Sequence, residues 1–235
     1  MPVRIRRVTT TRAGGVSAPP FDSFNVGDHV GDDPAAVAAN RERLASAIGL
    51  PAERVVWMNQ VHGSHVEFVD APRAEPFQAT DAMVTATPGL ALAVVTADCV
   101  PVLMADARAG VVGAAHAGRV GAADGVVLRT LEAMLAAGAA VEDISVLLGP
   151  AVSGPNYEVP AQMVDDVEAR LPGSRTTTAR GTPALDLRAG ITRQLHDAGV
   201  GAVDIDPRCT FADPELFSHR RGAPTGRLAS LVWME

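Results

Sequence analysis

The sequence predicts a mixed α/β fold. Three observations carry that reading. Apolar runs of strand length, ALAVVT (91–96), VPVLMAD (100–106) and GVVGAA (110–115), alternate with helical segments closed by glycine. A hydrophobic content of 47% over 235 residues is enough for a substantial core. No internal repeat, low-complexity tract or linker divides the chain, so residues 1–235 are expected to form one domain.

The elements follow in order. VRIRRVTT (3–10) alternates apolar and basic residues, as a half-exposed strand does. Residues 11–33 form a long Gly/Pro/Asp loop, and loops of that length are usually functional or disordered. Asp33 can cap the next helix, Pro34 suits its first position and Gly49 its exit, with Val37, Leu44 and Ile48 at helical spacing. RVVWMNQVHGSHVEFVD (54–70) predicts two strands around a turn at Gly63. GAADGVVLRTLEAMLAAG (121–138) predicts one helix ending at Gly138. ISVLLGP (144–150) is a strand, PAQMVDDVEARLPG (160–173) and RAGITRQLHDAG (188–199) are helices, and AVDID (202–206) and RLASLVWM (227–234) are strands.

Composition excludes several function classes. The formal charge of −7 argues against a binder of nucleic-acid backbones, which needs clustered positive charge. All basic residues are arginine, so a Schiff-base lysine, a pyridoxal-phosphate anchor and a P-loop lysine are ruled out. Any anion must be held by arginine, backbone amides or helix ends. Two cysteines, Cys99 and Cys209, make no disulfide scaffold. The opening MPVRIRRVTTTR has no apolar core of a signal peptide, and the longest apolar run is broken by Asp98 and Pro101. A cytoplasmic protein with no membrane partner is the expectation.

Familiar catalytic motifs are absent: no G-x-G-x-x-G after a strand, no Walker A, no H-E-x-x-H, no G-x-S-x-G. HVE (65–67) matches half of a zinc-deaminase signature, but the partner P-C-x-x-C is missing. Three segments remain. WMNQVHG ends at His62, VVTADCVPV holds Cys99 between two buried strands, and GAAHAG holds His116 at a strand exit. Strand ends are where a rigid sheet offers side chains to a pocket. Two imidazoles and a thiolate leave a fourth coordination position open, as in catalytic zinc sites. The residues alone leave the bland alternative open as well: a buried Cys as a small hydrophobe and a strand-end His as a hydrogen-bonded structural group.

TRAGGVS, FNVGDHVGDDP, NQVHG, TADCVPVL, AHAG, LGPAVSGPNYEV, CTF, SHRR and TGR occur in the order found in the YfiH/DUF152 family, which the chain resembles from about Thr9 to its C-terminus. Members carry the names multicopper polyphenol oxidase (laccase domain), purine nucleoside phosphorylase and peptidoglycan editing factor. The resemblance implies a single layered α-β-β-α sandwich with mixed sheets. It implies that His62, Cys99 and His116 are the metal ligands and the catalytic centre. One departure stands out: members usually read His-Ala-Gly-Trp-Arg-Gly, whereas this chain has Arg119 and Val120 where they have Trp and Arg.

The activity implied is phosphorolysis of adenosine, inosine, guanosine and methylthioadenosine with inorganic phosphate, beside adenosine deamination, with Zn²⁺ as the metal. Arg12, Arg41, Arg220 and Arg227 are candidates to hold phosphate. Asn25, Gln60 and Asp98, beside the ligand motifs, are candidates to position substrate or ligands. A copper reading is the alternative, with Met58 or Met104 as axial ligand of a blue-copper-like centre and Cu²⁺ outcompeting Zn²⁺. Against it, a multicopper oxidase needs many histidines, and of the six here His29, His65, His196 and His219 are scattered along the chain. Two further alternatives are a cysteine hydrolase with Cys99 as nucleophile and a peptidoglycan-precursor editing role. A monomer acting on small molecules is expected.

Overall fold

The computed structural model describes residues 2–235. Its strands are β1 (Ile5–Thr9), β2 (Val55–Val56), β3 (Val66–Phe68), β4 (Ala82–Thr85), β5 (Ala91–Thr96), β6 (Val100–Asp106), β7 (Val111–Ala117), β8 (Ile144–Leu148), β9 (Arg175–Thr177), β10 (Pro183–Leu185), β11 (Ala202–Ile205) and β12 (Leu228–Met234). Its helices are α1 (Pro34–Ile48), α2 (Arg119–Ala123), α3 (Val126–Ala136), α4 (Ala161–Glu168) and α5 (Leu187–Asp197). A four-stranded sheet runs β1-β12-β5-β2 and a six-stranded sheet runs β11-β8-β6-β7-β4-β3. Both are mixed: β5 pairs antiparallel with β12 and parallel with β2, while β8 pairs antiparallel with β6 and parallel with β11.

Side-chain alternation along the strands builds the layers. On β5 and β12, Leu92, Val94, Val232 and Met234 face the other sheet, meeting Met83, Leu103, Ala105, Val112 and Ala114 in one buried cluster. The odd-numbered neighbours Ala91, Ala93, Val95, Ala229, Leu231 and Trp233 pack outward against Leu44 and Ala45 of α1. On the far side, Val102, Met104, Val111 and Ala115 pack against Val127, Leu131 and Met134 of α3 and Ile191 and Leu195 of α5. The order is helix, sheet, sheet, helices, the layered sandwich that the family resemblance implied.

Two expected elements differ. The strands around Gly63 are not a hairpin: β2 joins the four-stranded sheet and β3 the six-stranded one, so the segment between them crosses from sheet to sheet. The helix expected over 121–138 is two helices, α2 and α3, broken at Gly125, whose φ of 82° is left-handed. The α1 boundaries match the expectation, with the Asp33 side chain accepting from the Ala35 amide and Gly49 closing the helix at φ 75°.

The long loop before α1 has no regular element, yet it is fixed. Asn40 of α1 is fully buried; its amide donates to Ser17 Oγ, the Ser23 carbonyl and the Asn25 carbonyl, and its oxygen accepts from the Val16 amide. One side chain thereby replaces the backbone partners that a sheet would have supplied. Replacing Asn40 with Ala is expected to cost about 2–4 kcal/mol. Urea unfolding measures that loss, and hydrogen exchange should show the amides of residues 13–26 opening first; unchanged stability would refute the anchoring role.

Candidate metal centre and its cleft

Alternation along β7 places His116 in register with Val112 and Ala114, on the face turned to the other sheet. His116 therefore stands where the seam between the sheets opens. It is nearly fully buried. Cys99 lies in the tight link between β5 and β6, next to Asp98, whose φ is 98°. His62 lies in the segment that crosses between the sheets, also left-handed at φ 60°. Their ligand atoms all fall within 4.8 Å of one another, with Cys99 Sγ 3.8 Å from His62 Nε2 and the two imidazoles edge to face at 4.7 Å. Among the described residues this is the one cluster of three such groups.

Asp81, which sequence reasoning missed, organises the cluster. It is fully buried just before β4. Its carboxylate accepts from the amides of Val61 (3.2 Å), His62 (3.0 Å) and Gly63 (2.7 Å) and pairs with His116 Nδ1 at 2.8 Å. Three successive amides around one carboxylate hold His62 in its left-handed conformation. Occupying Nδ1 of His116 leaves Nε2 for the site, the usual carboxylate–histidine arrangement of metal ligands. Burial alone would push the Asp81 carboxyl up; the His116 bond and the loop amides hold it below the usual range. The only sequence signal was an acidic residue at the entry to an apolar strand.

The small residues that follow His116 leave room for the ligands. A Cβ on Gly118 would lie 2.7 Å from His62 Cδ2 and 3.1 Å from Cys99 Sγ, and one on Gly121 would lie 2.6 Å from the Gly63 carbonyl. Gly118 and Gly121 let the His62 segment seat against the start of α2.

The donor set fits a metal of borderline softness: one thiolate and two imidazoles. Burial opposes the Cys99 thiolate, but His116 and His62 outweigh it and bring the thiol from 9.0 to about 6. Burial likewise opposes the His116 imidazolium, while Cys99 and Asp81 raise it from 6.5 to about 9. Among the described residues no methionine lines the cleft. Met58 packs between the sheets and Met104 on the helix side, so neither supplies the axial ligand of the copper reading.

The cluster opens into a cleft of about 340 Å³. Of the residues proposed to hold phosphate or position substrate, Gln60, Asp98, Arg220 and Arg227 line it, and Asn25, Arg12 and Arg41 do not. Gln60 is pinned by both polar ends to the backbone of Val95 at 2.8 Å. Asp98 spends its carboxylate on Thr210 Oγ1 (2.6 Å), Ser218 Oγ (2.7 Å) and the Arg220 amide (2.7 Å), which fixes the walls of the cleft. Asn25 is fully buried and accepts from the Gly27 and Arg227 amides, tying the long loop to the strand that follows Arg227. Arg12 lies over Phe217 and pairs with Asp22, and Arg41 lies over Trp57. His29 and His219, expected to be scattered, also line the cleft, as do Arg119 and Tyr157. Arg119 thus turns toward the cleft, while Val120 at the next position is exposed. Thr96, buried on the same wall, has a hydroxyl with no partner among the described residues.

The coupled pair makes a pH prediction for metal-free protein. The His116 contribution to stability is complete below 6.5 and is lost as pH rises through about 9. The Cys99 contribution is lost below about 6 and is complete above 9.0. Between 6.5 and 9 the two slopes cancel, because one proton is held by the imidazole in the folded chain and by the thiol in the unfolded one. Folding stability is therefore expected to gain almost no slope from this pair, while thiolate absorbance at 240 nm rises with a midpoint about 6. In His116→Ala the midpoint should move upward by more than one unit; an unmoved midpoint would sink the pairing.

A family model described as multi-copper polyphenol oxidoreductase laccase matches residues 6–235. A purine nucleoside phosphorylase of Mycobacterium tuberculosis is 77% identical over 99% of this chain and 93% of its own length. One of Corynebacterium glutamicum is 55% identical over 98% of this chain and 94% of its own. The crystal structure of the YfiH protein of Bacillus licheniformis superposes with a TM-score of 0.92 at 31% identity, covering 98% of this chain and 93% of that one. A DUF152 protein of Neisseria meningitidis gives 0.90 at 37% identity, over 100% and 96%. Sequence, layered fold and cleft agree, and the chain belongs to the YfiH/DUF152 family of laccase-domain proteins.

Proposed function

We propose that residues 1–235 act as one zinc-dependent purine nucleoside phosphorylase on adenosine, inosine, guanosine and methylthioadenosine, with adenosine deamination as a side activity. The observation that carries this reading is the convergence of His62, Cys99 and His116 in a cleft whose cationic side chains are all arginines and histidines. The names of the relatives from Mycobacterium and Corynebacterium support it. His62, Cys99 and His116 would hold the zinc, which supplies a fixed positive charge and Lewis acidity. No helix among the described residues is long and apolar enough to cross a membrane; a cytoplasmic monomer fits small-molecule turnover.

Phosphorolysis displaces the purine from C1′ through a cation-like sugar, with a phosphate oxygen as incoming group. Arg119, Arg220 and Arg227 supply forked donors for that dianion. The nearest carboxylate, Asp98, is consumed by its own hydrogen bonds and does not compete for them. Arg220 lies over the Tyr157 ring at 5.1 Å, which fixes its plane. Burial first, then the Cys99 charge, push the Tyr157 hydroxyl up, so it stays protonated and can donate to substrate. Gln60, clamped to Val95, and Thr96 give the cleft wall two fixed positions for sugar or base.

A second reading has an observation in its favour. Cys99, His116 and Asp81 make a nucleophile, base and orienting acid in contact, the arrangement of a cysteine hydrolase. Metal settles between the two, since a coordinated thiolate is no free nucleophile.

Protein purified without added metal is expected to carry about one zinc per chain and to convert inosine plus phosphate into hypoxanthine and ribose 1-phosphate. His116→Ala should lose both the zinc and at least ~10³-fold in turnover. Full turnover by metal-free His116→Ala would overturn the proposal, and covalent labelling of Cys99 by a substrate analogue in metal-free protein would favour the hydrolase. Asp81→Asn should weaken zinc binding by about 10–100-fold, read by competition with a chromogenic chelator.

A further inference from the structure

We propose that His29 is the general acid that protonates the departing purine, held for that task by Asp28 and Arg41. The inference rests on the phosphorolysis reading and adds a residue to its chemistry.

His29 belongs to the loop before α1, a segment separate from the strands and links that carry the three ligands, yet it lines the same cleft. Its Nδ1 lies 3.5 Å from Asp28 Oδ1. The other oxygen of Asp28 pairs with Arg41 at 3.1 Å. Arg41 is fixed twice more: its Nε donates to the Val26 carbonyl at 2.9 Å and its guanidinium lies 4.2 Å from the centre of the Trp57 ring. An imidazole oriented by a carboxylate that is itself held has the form of an acid–base residue. His29 and Asp28 are both about half exposed, so Nε2 of His29 is open to a ligand. The loop is rigid enough for the role. Buried Asn25 spans Gly27, Asp32 and Arg227, and a Cβ on Gly27 would strike Arg227 Cγ at 2.6 Å. The His29 bond, working against burial and joined by Arg41, brings the Asp28 carboxyl down to about 2, so it is charged in the working range. His219 lines the cleft too, but no carboxylate lies within ion-pair distance of it among the described residues.

The step balances as follows. The C1′–N9 bond breaks and its electron pair passes into the purine. The proton on His29 Nε2 moves to N7 of the base, which leaves neutral. A phosphate oxygen forms the new bond to C1′. The proton released from hydrogen phosphate returns to His29 through solvent.

A base that already carries positive charge needs no acid. Phosphorolysis of inosine and of 7-methylguanosine, whose N7 is methylated and cationic, therefore separates the proton transfer from every other function of the loop. His29→Asn should lose about 10²–10³-fold in kcat on inosine and keep 7-methylguanosine within a few fold, with zinc content and Tm unchanged. Asp28→Asn should show the same pattern more weakly. Equal losses on both nucleosides, or no loss on inosine, would overturn the assignment alone. A wild-type protein that cleaves neither nucleoside with phosphate would overturn the phosphorolysis reading and this inference with it.

Discussion

The buried carboxylate of Asp81 is the constraint on which the rest of the site depends. A charge with no solvent exposure is tolerated only when its acceptor positions are filled. Here four donors fill them, three from the crossing segment and one from the His116 ring. The amides of Val61, His62 and Gly63 fold the crossing segment into a tight cup, and the His116 ring is turned so that one nitrogen faces the thiol. Removing the carboxylate would free the strained residue and the ring together. One carboxylate thus shapes both the segment that carries His62 and the ring of His116.

The same economy of charge governs the cleft. A chain without lysine has only forked, planar cations, and each cleft arginine is set by something other than a carboxylate. Arg220 rests on Tyr157, and Arg227 bonds to the carbonyls of Thr225 and Gly226. Asp98 faces the cleft, but its oxygens are turned to two hydroxyls and an amide. What remains is a cleft whose cations, Arg119, Arg220 and Arg227, outnumber the anionic Asp98 and Cys99 that partly offset them, in a molecule whose net charge is −7. Such a local excess favours an anion over a cation as ligand.

Much of this was legible in the sequence, and the limits are physical. The buried strands and α1 were readable because apolar runs and caps are local signals. The two strands expected around Gly63 are present, but their separation into different sheets was not readable, because local pattern cannot say which sheet a two-residue strand will join. The helix break at Gly125 was misread because glycine is tolerated within helical periodicity. His62, Cys99 and His116 could be named from their place at strand ends and from family likeness. Asp81 could not, since its role is defined by partners 18 to 35 residues away that only the fold assembles. Asn25 and Arg41 were singled out for the right neighbourhood and the wrong contact: both act on the loop that carries His29 rather than on the cleft itself.

The position of β12 has a consequence for biosynthesis. It follows every other element in chain order, yet it sits between β1 and β5, pairing with both. Until residues 228–234 leave the ribosome, the smaller sheet has a gap, and two strands present open edges to whatever is nearby. Arg227 immediately precedes that strand, so its stretch of the cleft wall follows the other lining residues in chain order. The segments that bear His62, Cys99 and His116 all precede β12 in the chain, whereas the cleft wall beside Arg227 is complete only once residues 228–234 have taken their place between β1 and β5.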